Sequence, residues 1–401
     1  MKNDTNNFEM RKLLIIGASA LQLPAILKAK EMGLYVAVAD YNPNAVGIPF
    51  ADQYFNASTI DVDAICKVAQ DFHPDGIMTL ATDMPMRSIA AATSMLGLLG
   101  ISVDTALKST DKWEMIKAFV SNGVEAPQYL FLSDSQDLQA HRGEIRYPCV
   151  MKPTDNAGSR GVILIQKPDE LDSAYQYSSS QSHSGHVIVE EYMQGREVSV
   201  EVVVYHGVPH VLAVTDKLTT GAPYFVEMGH SQPSQLPEPD LERIRDLASR
   251  AVLSVGIENG PAHVEIILTA DGPKMVELGA RMGGDCITTH LVPLSTGIDM
   301  VKATIDIALG DEPDLRQRLH KASAIRFVDA NVGKIRSIGG EEEAILQPNV
   351  KCVQFFKHVG DEVMGIHNSL DRAACVIAQA DTVGEAVSAC EKGVAKLKIE
   401  S

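Results

Sequence analysis

Positive charge is in short supply in this chain. Lys and Arg number 35 against 52 Asp and Glu, so 35 − 52 leaves a formal net charge of −17. Nothing in that balance offsets the repulsion of a nucleic-acid backbone or an anionic bilayer, so neither is expected as a partner. A small anion gripped by a few well-placed cations stays open. Paired cysteines are missing as well. Cys66, Cys149, Cys286, Cys352, Cys375 and Cys390 are scattered with no C-x-x-C among them. They read as reduced thiols of a cytosolic protein, not as a disulfide frame or a zinc site. The apolar run LLIIGASALQL is interrupted too soon for a membrane span or a signal peptide, and a soluble, cytoplasmic protein is expected. Gly17 is followed by Ser19 and Gln22 where G-x-G-x-x-G needs glycines. Asp40 is therefore a weak candidate for a ribose partner, and the segment reads as a tight βα turn. No internal repeat stands out.

What is present is ordinary globular composition, 45% apolar and 22% charged, in 401 residues, enough for two or three domains sharing a cleft. KLLIIG, a helix over about 22–32, YVAVAD and a strand around 76–80 spell an open α/β layer over the first hundred residues. STDKWEMIKAFVSNGV (109–124) is a helix with Asp111 as cap and Glu114 completing a capping box. Lys112 then sits in the first turn, against the helix polarity, which hints at service to a ligand, although a solvated lysine explains it too. From 147 to about 219 the chain is β-rich, and PDLERIRDLASRAVLSVG is an amphipathic helix with Leu241, Ile244, Leu247, Ala248 and Ala251 on one stripe. The last eighty residues read as short strands and a closing helix.

Chemistry concentrates in three stretches. In MKPTDNAGSRGV (151–162) a buried strand runs into Lys152 and then a glycine-rich loop. A hairpin needs one or two such residues, not a whole loop of them. The stretch HVEIILTADGPKMVELGARMGGD (263–285) makes two strands about a turn centred on Asp271, which sets Glu265 opposite Glu277. Facing carboxylates that are half buried repel unless one is protonated or a cation lies between them. Mg²⁺ with an incomplete shell, a glycosidase-type acid pair and an exposed hairpin all fit that pairing. Arg281 favours the first, because a guanidinium beside a metal pair suits an anionic intermediate or a substrate carboxylate. The loop then becomes a lid over a triphosphate: Lys152 reaches phosphate oxygens, while Gly158, Ser159, Arg160 and Gly161 fold over them. It is no Walker loop, since G-x-x-x-x-G-K-[ST] does not occur there. In VIVEEYMQGREVSVEVVV, the run Glu190, Glu191, Tyr192, Met193 is a hinge for adenine, with Glu190 and Glu197 available to ribose hydroxyls. Glu201 reads as a half-exposed strand face. His263 is expected to support Glu265 and not to act as a base, and His230 is either a substrate contact or a solvated loop residue.

Lys112, Lys152 with its lid, VEEYMQGREVSVE, Glu265, Glu277 and Arg281, in this order, resemble the ATP-grasp superfamily over nearly the whole chain. The resemblance implies an α/β and α+β fold in three parts: an amino-terminal α/β domain (1–108), the grasp domain (109–315) with its lid at about 125–190, and a small carboxyl-terminal domain (316–401). It implies ATP and Mg²⁺ (Mn²⁺ as a substitute), two phosphate lysines at Lys112 and Lys152, and metal carboxylates at Glu265 and Glu277. Arg281 becomes the arginine on the substrate side. The implied reaction phosphorylates a small carboxylate to an acylphosphate and joins it to an amine, releasing ADP and phosphate. The partners are small molecules, and a homodimer is compatible. One departure is Gly279, where many members carry a metal-binding Asn; another is RMGGD, where biotin carboxylases continue R-x-Q-V-E-H. ELGARMGGD and FVEMGHSQPS sit closer to L-amino-acid ligases and purine-pathway ligases. A biotin-carboxylase-like or carbamoyl-phosphate-synthetase-like carboxylating enzyme and an ATP-binding regulatory module are the alternatives.

Overall fold

The computed structural model describes residues 10–156, 158, 160–222 and 224–401. Its first layer is a parallel sheet in the order β3-β2-β1-β4: β1 (Lys12–Ile16), β2 (Tyr35–Asp40), β3 (Gln53–Asn56) and β4 (Gly76–Met78). Helix α1 (Leu23–Glu31) links β1 to β2. The apolar runs that announced β1 and β2 are buried beyond their first residue, as strands covered on both faces must be. Asp40 closes the turn after β1, its carboxylate accepting from the N–H of Ala18 at 2.8 Å.

Helix α2 (Lys112–Ser121) starts at Asp111, whose carboxylate accepts from the N–H groups of Trp113 and Glu114. The reciprocal half of the expected capping box is absent. Glu114 pairs with Lys117 one turn on, and the N–H of Asp111 donates to the carbonyl of Leu107. Four antiparallel strands follow as a separate sheet in the order β5-β8-β6-β7: β5 (Tyr129–Leu132), β6 (Cys149–Pro153), β7 (Ile163–Ile165) and β8 (Val187–Glu191). Leu132, Leu138, Met151, Ile165 and Leu171 fill a small core under it.

The largest sheet has eight strands, β13-β12-β9-β10-β11-β14-β16-β15. They are β9 (Arg196–Tyr205), β10 (Val208–Thr219), β11 (Glu227–Gln232), β12 (Gly260–Thr269), β13 (Gly272–Gly279), β14 (Ala322–Val328), β15 (Val350–Phe355) and β16 (Ala374–Ala380). Helix α3 (Glu238–Ser254) lays Leu241, Ile244, Leu247, Ala248 and Ala251 against it, the stripe its 3.6-residue period requires. Helix α4 (Met300–Ala308) packs on the amino-terminal layer, and α5 (Val383–Val394) on β14 and β16. The carboxyl-terminal strands thus extend the central sheet through β11 and β14. No helix among the described residues is long and apolar enough to cross a membrane.

Candidate active site

The β12–β13 hairpin sets the site. Its turn is Ala270–Asp271, so Thr269 pairs with Gly272, Ile267 with Lys274 and Ile266 with Met275. Continued unbroken, that register would put Val276 opposite Glu265. A bulge intervenes: Val276 is skipped, and Glu265 pairs with Glu277. The pairing is the expected one, reached through a two-residue turn and an extra residue and not through a turn centred on Asp271. Bulges re-aim side chains in this way beside functional sites.

Two cavities open on either side of this pair. The first, of about 580 Å³, lies between the four-stranded antiparallel sheet and the central sheet. Lys152 projects into it from β6, only 5% exposed, with its Nζ 2.7 Å from the Glu190 carboxylate. Glu190 therefore stands buried as the partner of Lys152. Lys112 also lines this cavity; its Nζ donates to the carbonyl of Asn156 at 2.7 Å and lies 3.1 Å from Glu277. Burial works against the Lys112 charge, but Glu277 outweighs it and raises the pKa. Gly158 and Arg160 line the cavity, and Ser159 lies outside the described residues. Gly161 does not line it: a β-carbon there would stand 2.6 Å from Pro153, so this glycine, at φ +80°, lets the loop pack back on its own strand.

Glu191, Tyr192 and Met193, the run expected to be a hinge, line the same cavity. The N–H groups of Glu191 and Tyr192 are already donated, to the carbonyls of Gln128 and Pro148, and the Glu191 carboxylate pairs with Lys274. Glu197 lines the wall but is held by a residue that the sequence reading missed. Lys217, on β10, is buried with its Nζ at 2.5 Å from Glu197, 3.2 Å from Glu265 and 3.4 Å from Glu227. Desolvation opposes its charge; the three carboxylates override it and drive the pKa well above normal. Glu265 is correspondingly held well below the usual carboxylate range, against burial, chiefly by Lys217. In the sequence only the alternation of β10, one strand over from Glu197, pointed to Lys217.

The second cavity, of about 410 Å³, shares Lys112, Asn156, Glu265 and Glu277 with the first. Arg281 lines this one, and its guanidinium is bidentate to Asp83: Nε donates to Oδ1 at 3.0 Å and Nη2 to Oδ2 at 2.9 Å. Asp83 comes from the loop after β4, 198 positions away in the chain. Gly279 makes room for this pair, since a β-carbon there would sit 2.5 Å from Asp83 Oδ1.

Two expectations need correcting. Glu201 is fully buried, because β9 is an inner strand of the eight-stranded sheet; its carboxylate lies 2.6 Å from His263 Nδ1 on β12. Burial disfavours a charged His263, yet Glu201 prevails and its pKa is pushed up to about 9. Gly283 leaves space for this dyad, since a β-carbon would lie 2.6 Å from His263 Nδ1, whereas Gly284 faces open space. His230 is neither solvated nor on a loop. It lies on β11, 2% exposed, 3.2 Å from Asp285.

Asp285 is also gripped by Arg372 at 2.6 and 2.7 Å, and the Arg372 guanidinium lies 3.7 Å from the centre of the Phe327 ring. This cluster ties the segment after Arg281 to the carboxyl-terminal strands. Asp285→Asn would leave Arg372 buried without its anion, so a loss of about 3 kcal/mol in denaturant-measured stability is expected. An unchanged denaturation midpoint would refute that role.

Residues 145–289 match the ATP-grasp domain family, and residues 326–401 match the L-amino acid ligase C-terminal domain 2 family. Alanine–anticapsin ligase of Bacillus subtilis is 27% identical over 323 residues, covering 74% of this chain and 67% of that protein. Phosphoribosylamine–glycine ligase of Methanococcus maripaludis is 24% identical over 426 residues, covering 97% and 94%. Among solved structures, an L-amino acid ligase from Bacillus licheniformis superposes with a TM-score of 0.85 at 24% identity, covering 97% of this chain and 98% of that one.

Proposed function

This chain belongs to the ATP-grasp superfamily and is an ATP-dependent ligase of its C–N bond-forming kind, and we propose that it activates a small acid, of the amino-acid type, as an acylphosphate and joins it to an amine. The observation that carries this reading is the meeting of two cavities at one carboxylate pair. A triphosphate in the first cavity and a carboxylate in the second would have their reacting ends at the same boundary, which is the positioning that phosphoryl transfer needs.

The donor set fits a divalent ion. Glu265 and Glu277 offer two facing hard oxygen ligands, and no cluster of three or more acidic, His or Cys side chains among the described residues could hold a metal unaided. Two carboxylates with phosphate and water completing the octahedron is how Mg²⁺ is ordinarily held. Bound there, Mg²⁺ would supply positive charge against the phosphate oxygens, and Mn²⁺ could replace it.

The protein's own groups do the rest. Lys152 and Lys112 offer ammonium groups to phosphate oxygens, exchanging Glu190 and Glu277 for them. Gly158 and Arg160, on the wall of the first cavity, help exclude water, which would otherwise hydrolyse the activated acid. A carboxylate oxygen of the acid attacks the terminal phosphorus, and the bond to the ADP oxygen breaks. The amine nitrogen then attacks the acyl carbon, loses a proton, and inorganic phosphate leaves. Arg281, held flat by Asp83, faces the charge that develops on the acyl oxygen. In this reading Met193 presents the free edge of the hinge to the base, and Glu197 accepts from the ribose.

Phosphate release from Mg-ATP should be followed across acids and amines, offered singly and in pairs, with products weighed by mass spectrometry. Release that requires a pair, and a product lighter than its parts by one water, is expected. Nucleotide binding without release for any pair would sink the reading.

A further inference from the structure

The segment after Arg281 reaches the carboxyl-terminal lobe through two consecutive residues in the left-handed region, Asp285 at φ +52° and Cys286 at φ +61°. A residue with a β-carbon takes that conformation where its surroundings enforce it, and such positions gather at functional sites. Asp285 has its reason in Arg372 and His230. Cys286 calls for another.

Its sulfur has company. Cys286 and Cys352 pack against a small core of Ile287, Leu291, Ile325, Phe327, Cys375 and Ile377. Cys375 is fully buried on β16, whereas Cys286 is half-buried. Gln354 of β15 pairs with Cys375 and Cys352 with Ile377, so Cys352 and Cys375 are diagonal neighbours on one face of the central sheet. His290 joins them from the short helical turn Ile287–Leu291. Three thiols and an imidazole suggest zinc, but no set of three or more His, Cys, Asp or Glu side chains among the described residues is placed to hold a metal. Buried cysteines are also ordinary core residues, and for Cys375 packing would be explanation enough. Cys286 has a different setting. Cys375 and His290 hold its thiol down at about 5, against burial and the charge of Asp285. His290 is raised to about 10, chiefly by Cys286 and then by Cys352, and the Cys375 thiol is driven far up, chiefly by Cys286. A thiolate thus stands beside an imidazolium and a second thiol, the surroundings in which a cysteine reacts with peroxide.

We propose that Cys286 is a site of reversible oxidation, with hydrogen peroxide as the oxidant and Cys375 as the thiol that closes the disulfide. The Cys286 sulfur attacks one peroxide oxygen, the O–O bond breaks, and the departing hydroxide takes the His290 proton and leaves as water. Cys286 is then a sulfenic acid. The Cys375 sulfur attacks it, an S–S bond forms, and the sulfenic hydroxyl leaves as a second water with the Cys375 proton. The two sulfurs lose two electrons between them, and peroxide is reduced to two waters. The bond ties the segment that follows Arg281 to β16. Neither sulfur lines the cavities around Glu265 and Glu277, so the assignment is independent of the ligase reading.

The test treats the reduced whole chain with hydrogen peroxide at neutral pH, alkylates the remaining thiols and maps unreduced peptides by mass spectrometry. Cys66, also half-buried but with its thiol raised by burial and by Asp63, is the internal control. Cys286 is expected to react at least about tenfold faster than Cys66. It should appear in a peptide joined to Cys375, two hydrogens lighter than the reduced pair and separated by dithiothreitol. Both readings come from wild type, so they stand even where a variant folds poorly. Cys375→Ala should stop at a sulfenic acid on Cys286, trapped by dimedone, while Cys352→Ala should leave rate and pairing unchanged. Reaction at Cys286 no faster than at Cys66 overturns the assignment. So does a bond to Cys352 in place of Cys375, or oxidation past the sulfenic acid with no disulfide in wild type.

Discussion

Glu277→Ala is expected to fold normally and to lose phosphate release from Mg-ATP, with kcat/KM down at least about a thousandfold, or about 4 kcal/mol of transition-state stabilisation. The fold should survive because Glu277 lies near the end of an edge strand, with its side chain 30% exposed, and its ion pair with Lys112 opens onto a cavity and not into the core. The reaction should not survive, because Glu277 is one of two carboxylates that line both cavities where they meet. Its loss also frees Lys112 from the anion that raises its pKa, so the ammonium that should meet phosphate is no longer held in place. Glu277→Asp, which keeps charge but shortens reach, should recover part of the rate at higher Mg²⁺. A Glu277→Ala protein with wild-type turnover would remove the pair from the chemistry.

Arg281→Ala separates the cavities differently. Arg281 lines the second cavity and not the first, so nucleotide affinity should be untouched while product formation falls about a hundredfold or more. Asp83→Asn should fall in the same direction but less far, because it keeps the shape of the bidentate partner while losing its charge. The sign of the KM change for the acid is informative: a raised KM with kcat preserved would make Arg281 a binding residue alone. Equal ligation by Arg281→Ala and wild type would remove its assigned role.

The local parts of this architecture could be read from residues alone. Buried strands β1 and β2, the stripe of α3 and the cap at Asp111 follow from spacing, since their partners lie within a few residues. The carboxylate pair was legible because six residues separate each glutamate from Asp271, although the bulge at Val276 that makes the pairing true leaves no mark in spacing. What could not be read depends on contacts distant in sequence. Lys217 meets its three carboxylates because β10 lies between β9 and β11, with β12 beyond β9, and Asp83 meets Arg281 because the first layer docks beside the hairpin. Glu201 misled for a related reason. Alternation means exposure when one face of a sheet is wet, but β9 sits between β12 and β10, and that face of it is covered at Glu201.

The seam between β11 and β14 bears on how this protein can be taken apart. It is a ladder of four residue pairs, Gly229–Arg326 to Gln232–Ser323, with no insertion between the two lobes it joins. A fragment ending near 315 would expose the whole of β11 as an unpaired edge carrying Met228 and His230, a template for self-association. Exchanging the carboxyl-terminal lobe for that of a relative would succeed only if the graft supplied both a strand in this register and an arginine to meet Asp285. Breeding chimaeras of this protein therefore turns on a junction some distance from the chemistry, and the natural crossover lies between α4 and β14, ahead of the strand, so that β14 travels with the graft.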